Sequence, residues 1–251
     1  MTKKNLTQYI YSIADNALIL GQRLSELCGH GPTLETDIAL TNIALDLFGQ
    51  TRSYYQYLSN LSHENLSEDD LAFLRKEREY RNVLLVEQPN TDFAYIITRQ
   101  YFYDVFHFLQ LEKLLSSKDV NLKAIAHKSI KEVGYHKQFS ADWVKRLGDG
   151  TDESHQKIQQ AVDDLWVFTE ELFHLSDDDK AAIESGHGID PSSFKSQYYD
   201  LISTTLEESK IKVPENKYFQ EGGKQGVHSE HMGYILAEMQ FMQHTYPDMK
   251  W

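Results

Sequence analysis

The sequence predicts an all-α protein, a four-helix bundle with further helices appended at its C-terminal end. Three observations carry this prediction. Apolar residues recur at three- and four-residue spacing through four long segments. Only 5 prolines and 13 glycines punctuate the 251 residues, and the prolines fall at segment edges or in loops, where a missing N–H does least harm. No stretch alternates apolar and polar residues as a half-buried strand would.

The first helix is expected from about Leu6 to Cys28, where Gly29, Gly31 and Pro32 break it. The second runs from about Leu34 to Leu61, with Thr33 as its N-cap. SHENLSEDD (62–70) is a polar connection into a short helix near 69–79, and VLLVEQPN (83–90) ends the first helical pair. The third helix spans about Thr91 to Leu115 and the fourth about Val120 to Leu147, closed by GDG at 148–150. A fifth fills about Asp152 to Leu175. Shorter helices follow near 177–185 and 191–208, and a last one near Val227–His244, after a glycine- and proline-bearing stretch at 213–226. Two hairpins of long helices separated by a longer connection give ferritin-like connectivity. The whole of 1–251 then reads as a single ferritin-like helical domain, with a core bundle over about 6–148 and appended helices over about 152–246.

Composition removes several function classes. A formal charge of −13 opposes binding of nucleic acid or anionic membrane through bulk electrostatics. It equally disfavours this chain, alone, as the main dock for a polyanion such as a coenzyme A ester. A lone cysteine, Cys28, rules out an internal disulfide and a multi-cysteine zinc site, and its place in an apolar stripe predicts a core thiol. The opening MTKKNLTQY lacks a secretory apolar segment, and the longest apolar run, FAYII at 93–97, is far too short to span a bilayer. A soluble cytoplasmic protein is expected.

Read by heptad, the inward stripe of the first helix (Ile10, Ile13, Ala17, Leu20, Leu24, Leu27) is wholly apolar. The other three each carry one polar group near mid-length: Gln50, Asp104 and His136. A buried neutral polar group without a partner costs roughly 2–7 kcal/mol, so the three are expected to meet, with Asp104 against His136. A two-metal carboxylate site is the competing reading, but it wants about four carboxylates and two histidines. KEVGYH (131–136) frames the issue. Three residues before His136, where a ligand carboxylate would share its helical face, stands Val133, and Glu132 is one residue out of register. The polar core cluster is therefore expected, with no metal and no catalytic residue assigned to this chain.

Three further features are read at the same level. His228 and His231, with Glu230 and Glu238, have a spacing that could hold a metal, although helix capping or a partner contact is the plainer expectation. Lys224 and the glycines before those histidines could approach a phosphate. Phe102, Tyr103 and Phe106 lie off the third stripe, so they serve either a protein interface or packing under the appended helices. SEDD (67–70) and SDDDK (176–180) read as solvated helix starts.

Several stretches together carry a resemblance: GQRLSELCGHGP (21–32), DIALTNIALDLFGQTR (37–52), NVLLVEQPN (82–90), TRQYFYD (98–104), IKEVGYHKQFS (130–140), RLGDGTDES (146–154) and GGKQGVHSEHMGYILAEMQ (222–240). Over its full length the chain resembles the ferritin-like C subunits of bacterial phenylacetyl-CoA ring epoxidases, multicomponent monooxygenases of phenylacetate catabolism. In that family a related A subunit holds a di-iron site through Glu-x-x-His pairs. The resemblance implies that DLFGQ (46–50) keeps the preceding acidic residue as Asp46 while the ligand positions hold Leu47 and Gln50. On the fourth helix they become Val133 and His136, with Glu132 at the preceding acidic position. Asp104 matches the third-helix ligand, and the first-helix glutamate falls near Ala17 or Leu18. A degenerate site follows, with too few carboxylates to balance two irons.

The implied function is that of a non-catalytic structural subunit, forming a heterodimer or heterotetramer with the catalytic A subunit. The assembly is completed by a small B subunit and a reductase subunit, and di-iron, oxygen and NADPH are used by the partner subunits. The alternative is an active di-iron carboxylate oxygenase or ferroxidase using Asp104, His136, Glu132 and Asp46.

Overall fold

The computed structural model describes residues 2–61, 66–215 and 218–247. Its long helices are α1 (Lys3–Ser25), α2 (Leu34–Leu61), α4 (Phe93–Leu114) and α5 (Val120–Gly148), with the short α3 (Glu68–Phe73) in the connection between the hairpins. After them come α6 (Asp152–Leu165), α7 (Asp177–Glu184), α8 (Lys195–Glu208), α9 (Glu230–Met239) and α10 (Phe241–Thr245). No strand occurs among the described residues. This is the all-α, ferritin-like bundle that the periodicity predicts.

Local chemistry sets the ends. Thr33 Oγ1 accepts the Thr36 N–H at the start of α2, Asp92 accepts the Tyr95 N–H at the start of α4, and Asp119 accepts two N–H groups at the start of α5. Each satisfies donors that the first helical turn leaves orphaned. Ser67 with Asp70 and Ser176 with Asp179 close reciprocal capping boxes, so both acidic runs are helix starts. Residues 62–65 of the polar connection and 216–217 of the expected 213–226 loop lie outside the described residues.

α1 packs along α2 and α4 along α5, and the two hairpins meet along α2 and α5. Tyr57 donates to Asp119 at 2.5 Å near one end of that seam, and His136 reaches Asp46 at 2.9 Å near its middle. As the α2 number falls the α5 number rises, so these two helices run antiparallel.

The crossover between the hairpins is mostly not α-helical, so its backbone needs partners that a helix would have supplied. Buried polar groups of the bundle provide them. Arg23 donates twice to the Glu87 carbonyl, at 3.1 and 2.9 Å. Asn16 accepts the Val83 N–H at 2.8 Å. Arg99, fully buried, donates to the Gln88 carbonyl and the Asn90 side chain. Burial, and then the nearby Arg23 charge, pulls the Arg99 guanidinium down to about 9. The first helix, read as wholly apolar inside, thus carries buried Asp15, Asn16 and Arg23. They escape a single-stripe reading because they face the crossover rather than the bundle axis.

Two other expectations are corrected. Cys28 is exposed, not a core thiol, because α1 stops at Ser25 and the chain turns outward before it. The fifth helix ends at Leu165 rather than near Leu175; the apolar run WVFTEELF continues as two 3-10 turns, Trp166–Phe168 and Glu170–Phe173. Thr169 bonds the Trp166 carbonyl through its own hydroxyl, at 2.8 Å, offering the backbone a local alternative to the helix. Those turns settle the off-stripe aromatics. Phe102 meets Trp166 with ring centroids 5.8 Å apart, and Phe106 meets Phe173 and Phe194, each at 5.6 Å. All three of Phe102, Tyr103 and Phe106 are buried, so they pack under appended elements and offer no interface.

Candidate functional site

The expected ligand positions all point into the bundle. Leu47, Val133, Asp104 and His136 are each 0% exposed and Gln50 is 2%. At the first-helix position Ala17 and Leu18 are buried too. The polar members, however, do not form one cluster.

Asp104 does not meet His136. Its carboxyl takes the Gln100 amide N–H, one turn earlier on α4, at 2.7 Å and lies 2.8 Å from Ser140 Oγ on α5. The Ser140 hydroxyl is 2.9 Å from the His136 carbonyl, which accepts its proton. Ser140 is then free to accept a proton from Asp104. This arrangement is complete with Asp104 in its acid form, and burial pushes its pKa up to about 8 despite the Ser140 and Gln100 contacts. A neutral acid, closed by a hydroxyl and an amide, is what this node holds at pH 7.

His136 points the other way, toward α2. Its Nε2–H donates to Asp46 Oδ2 at 2.9 Å, while Nδ1 has no partner. Burial lowers its pKa more than Asp46 raises it, so the ring is neutral. Asp46, whose side chain is 36% exposed, stands where the α2–α5 seam opens to solvent. Glu132 lies beside it on α5, half-buried, with its pKa raised by burial and by the Asp46 charge against smaller opposing effects of Lys128 and Gln50. The Gln50 amide approaches Glu132 without closing a hydrogen bond of ordinary geometry, and both of its polar atoms lack partners. The difference from expectation is one of direction. A helical side chain covers the turn N-terminal to its own Cα, so stripe membership alone does not say which neighbour a polar tip reaches.

His107 escaped the sequence reading. It is 1% exposed, neither ring nitrogen has a partner, and burial followed by the proximity of His136 drives its pKa down to about 3. Its ring lies 5.1 Å from that of Tyr103, whose hydroxyl, like that of Tyr54, is buried and unpartnered. The signal that could have found it is the Asp104-x-x-His107 spacing on a helix buried nearly all round. Among the described residues no three histidine, cysteine, aspartate or glutamate side chains are placed to hold one metal ion.

The second candidate resolves differently. Among the described residues His228 and His231 belong to no group of three or more such side chains placed to hold a metal ion. The two ring nitrogens of His228 lie 3.0 Å from Glu87 Oε2 and 3.2 Å from the Tyr80 carbonyl, two acceptors that together call for the imidazolium. Its pKa is raised accordingly, burial being outweighed by Glu87, the Tyr80 carbonyl and Glu77. Lys224 donates to the His174 carbonyl at 2.7 Å, so it is spent inside the protein. The anion held at Gly222 and Gly223 is the protein's own Glu171, which takes their N–H groups at 2.9 and 2.7 Å and that of Leu84 at 2.6 Å. A Cβ at Gly223 would collide with the Asn82 carbonyl, so glycine is required for this approach.

A groove of about 580 Å³ lies between α1, α2 and α3, lined by Leu18, Gln22, Phe48, Arg52, Glu68 and Phe73 among others. It is on the far side of α2 from the Asp46 seam and contains no histidine. No described helix is long and apolar enough to cross a membrane.

Comparison with known proteins agrees with this architecture. The family described as "Phenylacetic acid catabolic protein" matches residues 1–251. Over 246 residues the chain is 47% identical to the C subunit of 1,2-phenylacetyl-CoA epoxidase from Escherichia coli (strain K12), covering 98% of this chain and 99% of that one. The chain belongs to the phenylacetic acid catabolic protein family.

Proposed function

We propose that this chain is a non-catalytic subunit of a phenylacetyl-CoA epoxidase and that it supports an iron-bearing catalytic partner by shape and contact. One observation carries the reading. Where two irons would need carboxylates, the bundle centre presents Leu47, Val133 and the Ala17–Leu18 step, all buried and apolar. The acidic group that does lie deep, Asp104, is held as a neutral acid by its own neighbours. Carboxylates both bind hard iron and compensate its charge, and neutral imidazole and amide cannot replace them. The residues present do not fit a di-iron centre, so no chemical step is routed through one here. The Escherichia coli relative is named as one subunit of an epoxidase, which supports an assembly with other chains. In that assembly di-iron resides in the catalytic A subunit, a reductase passes electrons from NADPH, and oxygen is delivered to the ring by the partner. A small B subunit makes up the remainder of the complex.

The surface that suits such a partner is the outer side of α2 and α5. Leu34 (72% exposed), Ile38 (51%) and Leu45 (60%) line α2, and Tyr135 (54%) stands on α5. Exposed apolar side chains gathered along one two-helix face favour association with another chain. Co-expression with the A subunit of the same assembly tests the proposal. A stable complex is expected, weakened by Leu45→Glu; separate elution of the two chains at micromolar concentration contradicts it.

A further inference from the structure

The basic residues of α5 fall into two groups. In its C-terminal half they are engaged. Lys137 Nζ lies 3.8 Å from the Phe108 ring centroid, Lys145 pairs with Glu208 at 2.6 Å, and the Arg146 guanidinium stands 5.3 Å from the Trp143 centroid. That half is also where a helix favours cations, because its carbonyl end carries partial negative charge. The N-terminal half is the reverse. Residues 120–131 include Lys123, His127, Lys128 and Lys131 and not one aspartate or glutamate, in a chain of net charge −13. All four residues are exposed, and among the described residues none of the three lysines has an ion-pair partner within 4.0 Å. The acids nearby are occupied elsewhere. Asp119, one turn before Lys123, is buried and accepts Tyr57 and two backbone N–H groups. Glu112 of α4 acts on Lys137, and half-buried Glu132 feels only Lys128 among the three. Lys123, His127 and Lys131 recur every four residues, so they form one row along the helix, and Tyr135, 54% exposed, ends it. Lys113 and Lys118, just before α5, are likewise exposed and outside every ion pair among the described residues.

We infer that the N-terminal half of α5 is a docking strip for an acidic surface of the partner chain that covers the α2–α5 face. This rests on the preceding reading that such a chain covers this face. Because α2 and α5 run antiparallel, the strip lies beside the C-terminal half of α2 and continues the face beyond Leu45 and Tyr135. One end of the face is thus apolar, over Leu34, Ile38 and Leu45, and the other is cationic. A partner that sets carboxylates against Lys123, Lys128 and Lys131 gains charge-assisted contacts and is steered to its place as it approaches. It can also seat itself in one direction only. The reversed arrangement puts its carboxylates on Leu34 and Ile38 and leaves the lysines unanswered. At physiological ionic strength a charge is felt over about 8 Å, so the strip acts locally although the chain as a whole is acidic. A long polyanion such as nucleic acid is the competing occupant, but it extends past the strip and meets the net negative charge of the remaining surface.

The test measures the rates of association and dissociation of this chain with the A subunit at two salt concentrations. Lys123→Gln combined with Lys131→Gln removes charges that pair with nothing in their own chain, so folding is not at stake. Association is expected to slow about 10-fold and to lose much of its salt dependence, with dissociation close to wild type. Reversing both charges, as Lys123→Glu with Lys131→Glu, should weaken binding about 100-fold. Lys76→Gln with Lys212→Gln, at exposed lysines elsewhere on the surface, changes the net charge equally and should leave binding as it was. Wild-type kinetics in both Lys123 and Lys131 double variants, or equal weakening by the Lys76 and Lys212 pair, overturn the inference while leaving the subunit reading intact. Separate elution of the wild-type chains removes that reading and the strip together. Binding of duplex DNA by the isolated chain at about 0.15 M salt, lost in Lys123→Gln with Lys131→Gln, assigns the strip to a polyanion and overturns the proposal.

Discussion

Two regions of this molecule bury polar groups in opposite ways. In the clasp between the crossover and the C-terminal segment, nearly every group is answered. Glu171 takes three backbone N–H groups, and Glu87 takes the Ser229 N–H, the His228 ring and the Asn82 amide. In the middle of the bundle, His107 and Gln50 have no partners, and Tyr54 and Tyr103 bury idle hydroxyls. The clasp is built of charged groups that cannot be buried unless paired. The bundle centre is built of neutral groups, or groups held neutral, whose lack of partners is survivable and can be met by buried water. Charge is what a protein cannot leave unanswered. A bundle centre made of neutral groups can therefore keep polar side chains, Asp104 among them, without a charged partner.

The largest effect should come from breaking the clasp. Glu171→Ala leaves three buried N–H groups orphaned and should cost about 3 kcal/mol or more in urea unfolding. A loss below about 1 kcal/mol would mean that the clasp is ornamental.

Asp104 gives the next effect, and its sign is opposite to that of an ordinary salt-bridged carboxylate. Its folded pKa is about 8 against a reference of 3.8, so its favourable contribution is complete below about pH 4 and is lost as pH rises toward and through 8. Asp104→Asn keeps the contacts to Gln100 and Ser140 and cannot ionise. At pH 9 the variant should be more stable than wild type by about 1 kcal/mol or more, with the gap closing toward pH 5. Equal slopes of stability against pH would show that Asp104 is not the buried acid.

His107→Phe probes the idle centre and should change stability by less than about 1 kcal/mol in either direction, because an unpartnered imidazole has little to lose. A large loss would reveal a partner in the folded state. The smallest effect is expected from titrating His228. Its cationic form is favoured in the fold, so its contribution is present at low pH and fades as pH rises through its raised pKa. Hydrogen exchange in α9 should quicken over that interval and become insensitive to pH in His228→Gln.

Much of this was legible in the sequence. α2 begins and ends at the expected residues because Thr33 caps it and an apolar stripe fills it. The stripe residues of α1, α4 and α5 are buried as the periodicity requires, apart from the half-buried Phe108 and residues toward the helix ends. What stayed hidden depends on where side-chain tips go. Asp104 and His136 share an axial level in a heptad reading, yet one turns to Ser140 and the other to Asp46. α9 starts at Glu230 rather than near Val227 because Gly226 adopts φ 77° and His228 is drawn back onto Glu87. Single-stripe logic also fails for α4, which is covered on several sides, and it hid His107 for that reason.

The central claim concerns metal and charge balance, and the iron content of the isolated chain tests it most directly. After anaerobic loading with ferrous ion and removal of excess, the account predicts well under one iron per chain and no oxygen consumption on exposure to air. Two tightly held irons per chain, with the spectroscopic signature of an oxygen-bridged pair, would contradict it.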